Sequence, residues 1–404
     1  MIAAYTCTKL GDVLMNPKTI LTWVLTALGS PGAVIAMLVP IRESGSMLPQ
    51  LIISSWVKQV RQRKHIFVAG CILQALAVAA MGLSAMLLPP TAAGWCVLLA
   101  LTVFSIARAF CSISSTDVMG RSIPKGFRGR VSGLSATLSG FLSAIAAVML
   151  VIYRDEHTIT VLAWLLFIAA FLWLIGAGIY SSVHEPVPTQ TDAPATLSND
   201  LRNRLRLVLD DKLFAQFILC RCLLLGSALA SPLLVVLGQQ SGGSLISLVG
   251  FVIASGLASG TSSFFWGKLA DQSGSLTMAL GGTLSTIIGF TSLAIALWAE
   301  TLTSLSWCWP LLFLLFNLGY AGVRIGRSTW VVDAVDGDKR TDYVSASNTL
   351  IAICIIVMGL ITSALHSLSP LIPLGLYCLL CVVGAGVALK IHQQQKNADF
   401  PPEI

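Results

Sequence analysis

Residues 262–276 read SSFFWGKLADQSGSL, and about twenty residues ahead of them carry no charge at all. Gly267, Lys268, Asp271 and Gly274 then stand close together before the apolar sequence resumes. Such a stop has a simple cause if each apolar run crosses a bilayer and the polar residues form a turn at its surface. Runs of about 20 apolar residues recur along the chain, each long enough to span a hydrocarbon core. Of 404 residues, 55% are hydrophobic and 11% charged, where a soluble domain carries about 25% charged residues. The chain is therefore read as an all-α polytopic membrane protein.

Twelve spans are expected, near 18–40, 45–58, 66–89, 93–113, 131–152, 158–180, 213–238, 244–266, 276–298, 303–322, 346–366 and 370–390. Lys9, Asp12 and Lys18 interrupt the start, so no cleavable signal peptide is expected there. Alternate loops then collect the basic residues: Lys58, Arg61, Arg63 and Lys64; Arg121, Lys125, Arg128 and Arg130; Arg202, Arg204, Arg206 and Lys212; Lys268; Lys339 and Arg340. The opposite set holds only Arg42 and Arg154. Basic loops stay in the cytoplasm, which puts both termini there and makes the net charge of +7 a record of topology rather than of nucleic-acid binding.

The 181–212 stretch is Pro/Thr-rich at first and continues LRNRLRLVLDDK, with Leu201, Leu205 and Leu209 at helical spacing. It reads as a cytoplasmic linker with an amphipathic helix lying on membrane lipid. The expected domains are 1–180 (a six-helix bundle), 181–212 (the linker), 213–390 (a second six-helix bundle) and 391–404 (a cytoplasmic tail). The halves echo each other. Leu28-Gly29-Ser30-Pro31 matches Leu229-Ala230-Ser231-Pro232, Arg108 with Asp117 matches Arg324 with Asp333, and Trp56-Val57-Lys58 matches Trp266-Gly267-Lys268, at offsets of 201 to 216 residues. Repeated halves are a transporter architecture, with substrate bound where the repeats meet near mid-membrane.

Gly267-Lys268-Leu269-Ala270-Asp271-Gln272-Ser273-Gly274 resembles the signature loop of the major facilitator superfamily, commonly G-x-L-A-D-R-x-G-R-R. IPKGFRGRVSGL, 123–134, is similar to that family's loop between spans four and five. The resemblance implies two pseudo-symmetric six-helix bundles, the fold of bacterial secondary transporters, and a cytoplasmic latch role for Asp271. The two glycines would permit a tight turn and close helix approach, and Asp271 would favour the N-terminus of the next helix. Gln272 departs from the usual arginine. In the first half Val57, Arg61 and Lys64 replace the matching Gly267, Asp271 and Gly274, so the standard gating scheme is not carried onto it. Lys58, Arg61, Asp117 and Asp333 complete the candidate gate.

An ionisable residue inside a span costs about 2.5–3.5 kcal/mol, so it faces a cavity or a partner. Glu43 lies 15 residues before Lys58, about 22 Å of helix, too short to clear a core of about 30 Å. PIRESGS, 40–46, is therefore expected to bend within the outer half of the membrane and to line a cavity with Arg42 and Glu43. The alternative is a mutually neutralising pair on a short outer loop. If the pair is functional, Glu43 is the expected proton carrier. Arg108, Arg221, Arg324 and Arg327 also lie within spans. Either Asp117 and Asp333 neutralise the arginines in an inner ion-pair network, or the arginines form a basic cavity for an anionic or zwitterionic substrate.

Nearly all of the ten cysteines fall in apolar segments, and they read as small fillers, not metal ligands. The five histidines are scattered singly, so neither an enzyme site nor a cofactor is expected. No phosphate-cradling G-x-x-x-x-G-K-[ST] stretch occurs, which argues against ATP drive. Gly256 and Gly260 form a G-x-x-x-G expected to serve helix packing. Span five keeps Gly133 and Gly140 but lacks the Gly-Pro pair usual in drug/proton antiporters of the family. The expected function is a proton-coupled permease for a small solute. The alternatives are a drug/proton antiporter, and a sensor or scaffold that kept the fold.

Overall fold

The computed structural model describes residues 1–49, 53, 60–123, 131, 134–135, 137–143, 145, 158–185, 211–242, 245–303, 305–334 and 339–399. Two compact units divide between Leu197 and Ser198. Regular structure among the described residues is helical throughout.

The first unit contains α1 (Ile2–Leu14), α2 (Ile20–Leu28), α3 (Gly32–Met47), α4 (Lys64–Leu87), α5 (Pro90–Ser122) and α6 (Thr158–Ser181). Residues 131, 134–135, 137–143 and 145 are helical as well. The second unit contains α7 (Lys212–Leu223), α8 (Gly226–Leu229), α9 (Ser231–Gln240), α10 (Leu245–Ala270), α11 (Gly274–Trp298), α12 (Glu300–Thr303), α13 (Cys308–Ala334), α14 (Lys339–His366) and α15 (Leu371–Asp399). Among the described residues, eight helical stretches are long and apolar enough to cross a membrane. Their outward faces carry large apolar side chains such as Leu87, Leu99, Phe171 and Trp298, while Gln74, Ser105, Ser114 and Ser227 are buried. Apolar side chains toward lipid, with the few polar ones kept inside beside the apolar core, is the arrangement a lipid solvent demands.

The first span is not 18–40. Span one is α1 followed by α2, with a break at residues 15–19, and α3 opens the second span. Gly29, at φ 74°, ends α2 in the left-handed conformation open to glycine, and Pro31 caps α3. The tetrapeptide Leu28-Gly29-Ser30-Pro31 is thus a turn between spans. Its proposed counterpart at 229–232 lies inside a helical run, where Ala230 keeps a right-handed helical backbone between α8 and α9. That match of the repeat fails in the structure. The expected bend at PIRESGS fails too: residues 40–46 lie within continuous α3, with Ser44 Oγ donating to the Pro40 carbonyl at 2.6 Å.

Gly256 of the G-x-x-x-G does not make the packing expected of it, and the surroundings of Gly260 lie outside the described residues. A Cβ on Gly256 would meet nothing within 4 Å. The close approach lies between α11 and α13. There a Cβ on Gly274 would come 2.7 Å from the Gly326 carbonyl, and one on Gly281 would come 2.6 Å from that of Gly319. Bare backbones let these helices touch, as small residues do across membrane helix pairs. The linker helix expected near 201–209 lies outside the described residues. At the linker's end Asp211 caps α7, accepting from the Phe214 amide at 3.0 Å and from Tyr343 Oη at 3.2 Å.

Candidate functional site

The first unit gathers its intramembrane charges around Asp12. Arg108 Nη2 on α5 lies 2.6 Å from Asp12 Oδ2, and Arg42 Nη2 on α3 lies 3.4 Å from Oδ1. One carboxylate on α1 is therefore shared by guanidiniums from two other helices. Two aromatic rings floor the cluster. Arg42 lies over Phe104 at 5.1 Å, Arg108 lies over Trp173 at 5.5 Å, and the two rings meet edge to face. Each contact adds a cation–π attraction. Gly11 permits the arrangement: a Cβ there would sit 2.7 Å from Trp173 Nε1.

Beside the pair lies a cavity of about 190 Å³, lined by Tyr5, Thr8, Lys9, Phe67, Arg108, Cys111, Ser112, Ser115, Met119 and Trp173. Lys9 Nζ donates to Ser135 Oγ at 2.7 Å. The lining thus combines two cations with hydroxyls and aromatic faces. Glu43 is half-buried on α3, and among the described residues it enters no ion pair. Asp12, which the sequence reading passed over as an interruption of the chain start, takes the place beside Arg42 that was expected of Glu43.

A second charged group lies where α4 begins. Glu185 follows α6, and its side chain is fully buried. It accepts from the backbone amides of Arg63 at 3.1 Å and Lys64 at 2.8 Å, and from Arg121 Nη1 at 3.4 Å. A carboxylate on free amides at a helix N-terminus satisfies donors the helix cannot, and it suits the helix dipole. Arg63 also pairs with Asp117. Asp117, a gate candidate, is thus engaged by Arg63. Arg61 is exposed, and Lys58 lies outside the described residues.

In the second unit Arg221 is buried on α7. Its Nη1 donates to Ser347 Oγ on α14, and its guanidinium lies over Phe217 at 5.8 Å. Its Nε has no hydrogen-bond partner among the described residues. Arg324 is exposed and Arg327 half-buried on α13, and neither enters an ion pair among the described residues. The side chain of Asp333 lies outside the described residues. In the signature loop, Gly267 belongs to α10 with open space around it, so it makes no turn and no close approach. Lys268 and Asp271 are exposed. The cap of α11 is Ser273, whose hydroxyl accepts from the Leu276 amide at 3.2 Å; Asp271 lies in the turn before it. Of the two loop glycines, Gly274 makes the close approach.

Apolar helices long enough to cross a bilayer, enclosing paired charges, define a polytopic membrane protein. The Major Facilitator Superfamily profile matches residues 2–359, and the chain belongs to that family. Comparison with curated proteins yields no match. Among solved structures, the chain is similar to the nucleoside transporter NupG, with a TM-score of 0.72 and 12% identity over 96% of this chain and 98% of that one. It is also similar to a D-xylose-proton symporter (0.67, 11%, 96% and 96%) and to the POT family transporter PepTSo (0.74, 10%, 98% and 97%). At such identities the likeness shows the fold, twelve transmembrane helices in two six-helix bundles.

Proposed function

We propose that this protein is a proton-coupled secondary transporter for small anionic or zwitterionic solutes. It resides in the inner membrane of a bacterium with both termini in the cytoplasm, as the distribution of basic loops favours. The observation that carries the reading is the Asp12 carboxylate shared by Arg108 and Arg42 beside a cavity that Lys9 and Arg108 line.

The coupling follows from charge. Ionised Asp12 occupies the forks of both arginines. A proton on Asp12 removes their counter-charge, and Arg108 then faces the cavity with Lys9 beside it. A planar guanidinium matches carboxylate or phosphate oxygens, so proton and anion favour each other's binding, reciprocally. Loss of the proton returns Arg108 to Asp12 and releases the solute. Asp12 is the proposed proton carrier, and Glu43 stands as the second carboxyl to test. Arg221, Arg324 and Arg327 are proposed as a further basic group of the second unit.

The test is proton movement in proteoliposomes containing a pH-sensitive dye, with carboxylates, phosphates, amino acids, sugars and lipophilic cations added in turn. Anionic or zwitterionic solutes should move protons in step with their uptake. Asp12→Asn should leave solute exchange but abolish proton movement, and Arg108→Gln should abolish both. Proton movement driven by lipophilic cations alone would move the reading to drug efflux. Coupling that survives Asp12→Asn but not Glu43→Gln would transfer the proton role to Glu43.

A further inference from the structure

The ten cysteines are not equivalent. Cys71, Cys111, Cys220, Cys308, Cys378 and Cys381 are buried. Cys71 and Cys111 stand 4.0 Å apart, and Gln74 Nε2 donates to Cys111 Sγ. Cys222 on α7 and Cys354 on α14 differ in both respects. Their sulfurs lie 2.9 Å apart, with the Cys222 thiol donating to Cys354, and both residues are only half-buried. The helices pack together and share a second bond, from Arg221 to Ser347. Ser347 and Cys354 are seven residues apart, two turns along one face of α14. Adjacent residues of α7 therefore reach one stripe of α14, and the thiols meet in a contact already fixed by the arginine.

We propose that Cys222 and Cys354 form a redox-modifiable pair that hydrogen peroxide converts to a disulfide joining α7 to α14. Cys354, whose sulfur already accepts a hydrogen bond, gives up its proton and attacks the peroxide. The O–O bond breaks, an S–O bond forms, and the leaving hydroxide takes that proton to become water. The Cys222 sulfur then displaces hydroxide from the Cys354 sulfenic acid. The S–S bond forms, and the Cys222 proton completes a second water. Two thiols are oxidised and one peroxide is reduced to two waters. A nearby resolving thiol gives such sites reversible chemistry. The bond would fasten the helix that carries Arg221.

The full-length protein in detergent is treated with graded hydrogen peroxide, denatured, alkylated, digested and mapped by mass spectrometry. The expected result is a 222–354 cross-linked peptide, reversed by dithiothreitol. Its formation should raise the melting temperature of the wild type and not of Cys222→Ser. Cys354 should trap as a sulfenic acid in Cys222→Ser, and no sulfenic acid should form at Cys222 in Cys354→Ser. Exposed Cys96 reports that oxidant reached the protein. Oxidation of Cys96 with both partners still alkylatable, or cross-links that pair either cysteine elsewhere, would overturn the proposal. None of these readings depends on transport.

Discussion

Asp12 Oδ2 lies 2.6 Å from Arg108 Nη2, a bond between a helix at the start of the chain and one some ninety residues on. Both side chains are partly exposed, at 19% and 30%, so water reaches the pair and its net worth is modest. A double-mutant cycle of Asp12→Asn and Arg108→Gln should return a coupling of about 0.5–3 kcal/mol, the range for residues in contact. Additive effects on melting would mean that the contact carries no energy.

Trp173 braces Arg108 and abuts Gly11. Gly11→Ala should therefore destabilise the first unit, because its Cβ would sit 2.7 Å from Trp173 Nε1 and 3.3 Å from the Ala169 carbonyl. Combining it with Trp173→Phe, which removes the indole nitrogen, should recover part of the loss. Equal melting temperatures for wild type and Gly11→Ala would contradict this packing.

Glu185 joins the end of the first unit's last helix to the start of α4. Replacing it with Ala removes a capping acceptor, a change that costs about 1 kcal/mol. Hydrogen exchange at the Arg63 and Lys64 amides should accelerate, while amides in the middle of α4 stay protected. Unchanged exchange at those two positions would rule out the cap.

Two glycines separate packing from pattern. Gly281→Ala should cost clearly more than Gly256→Ala, since the first Cβ meets the backbone of α13 and the second meets open space. Gly256→Ala should be neutral, or stabilising by up to about 1 kcal/mol from helix propensity. Melting of the two variants side by side decides the order, and a greater loss from Gly256→Ala would reverse it.

The sequence by itself determined the membrane class, the helical architecture and the family. These rest on composition, on the length of apolar runs and on the signature loop, all of which are local properties. Most span positions were legible for the same reason. Span one was not, because Lys9 and Asp12 look like a polar prelude until α1 brings them beside Arg108, and Gly29 with Pro31 reads equally well as a kink or a turn. The spacing of three residues between Lys9 and Asp12, one helical face, was the available signal. Tertiary structure alone decided which charges meet. Arg42 pairs with Asp12 rather than with its neighbour Glu43, Asp117 pairs with Arg63, Glu185 caps α4, and Cys222 meets Cys354. Each of these joins residues 30 to 132 positions apart. Helix rotation and crossing set such contacts, and a hydropathy pattern that is apolar all round says nothing about rotation.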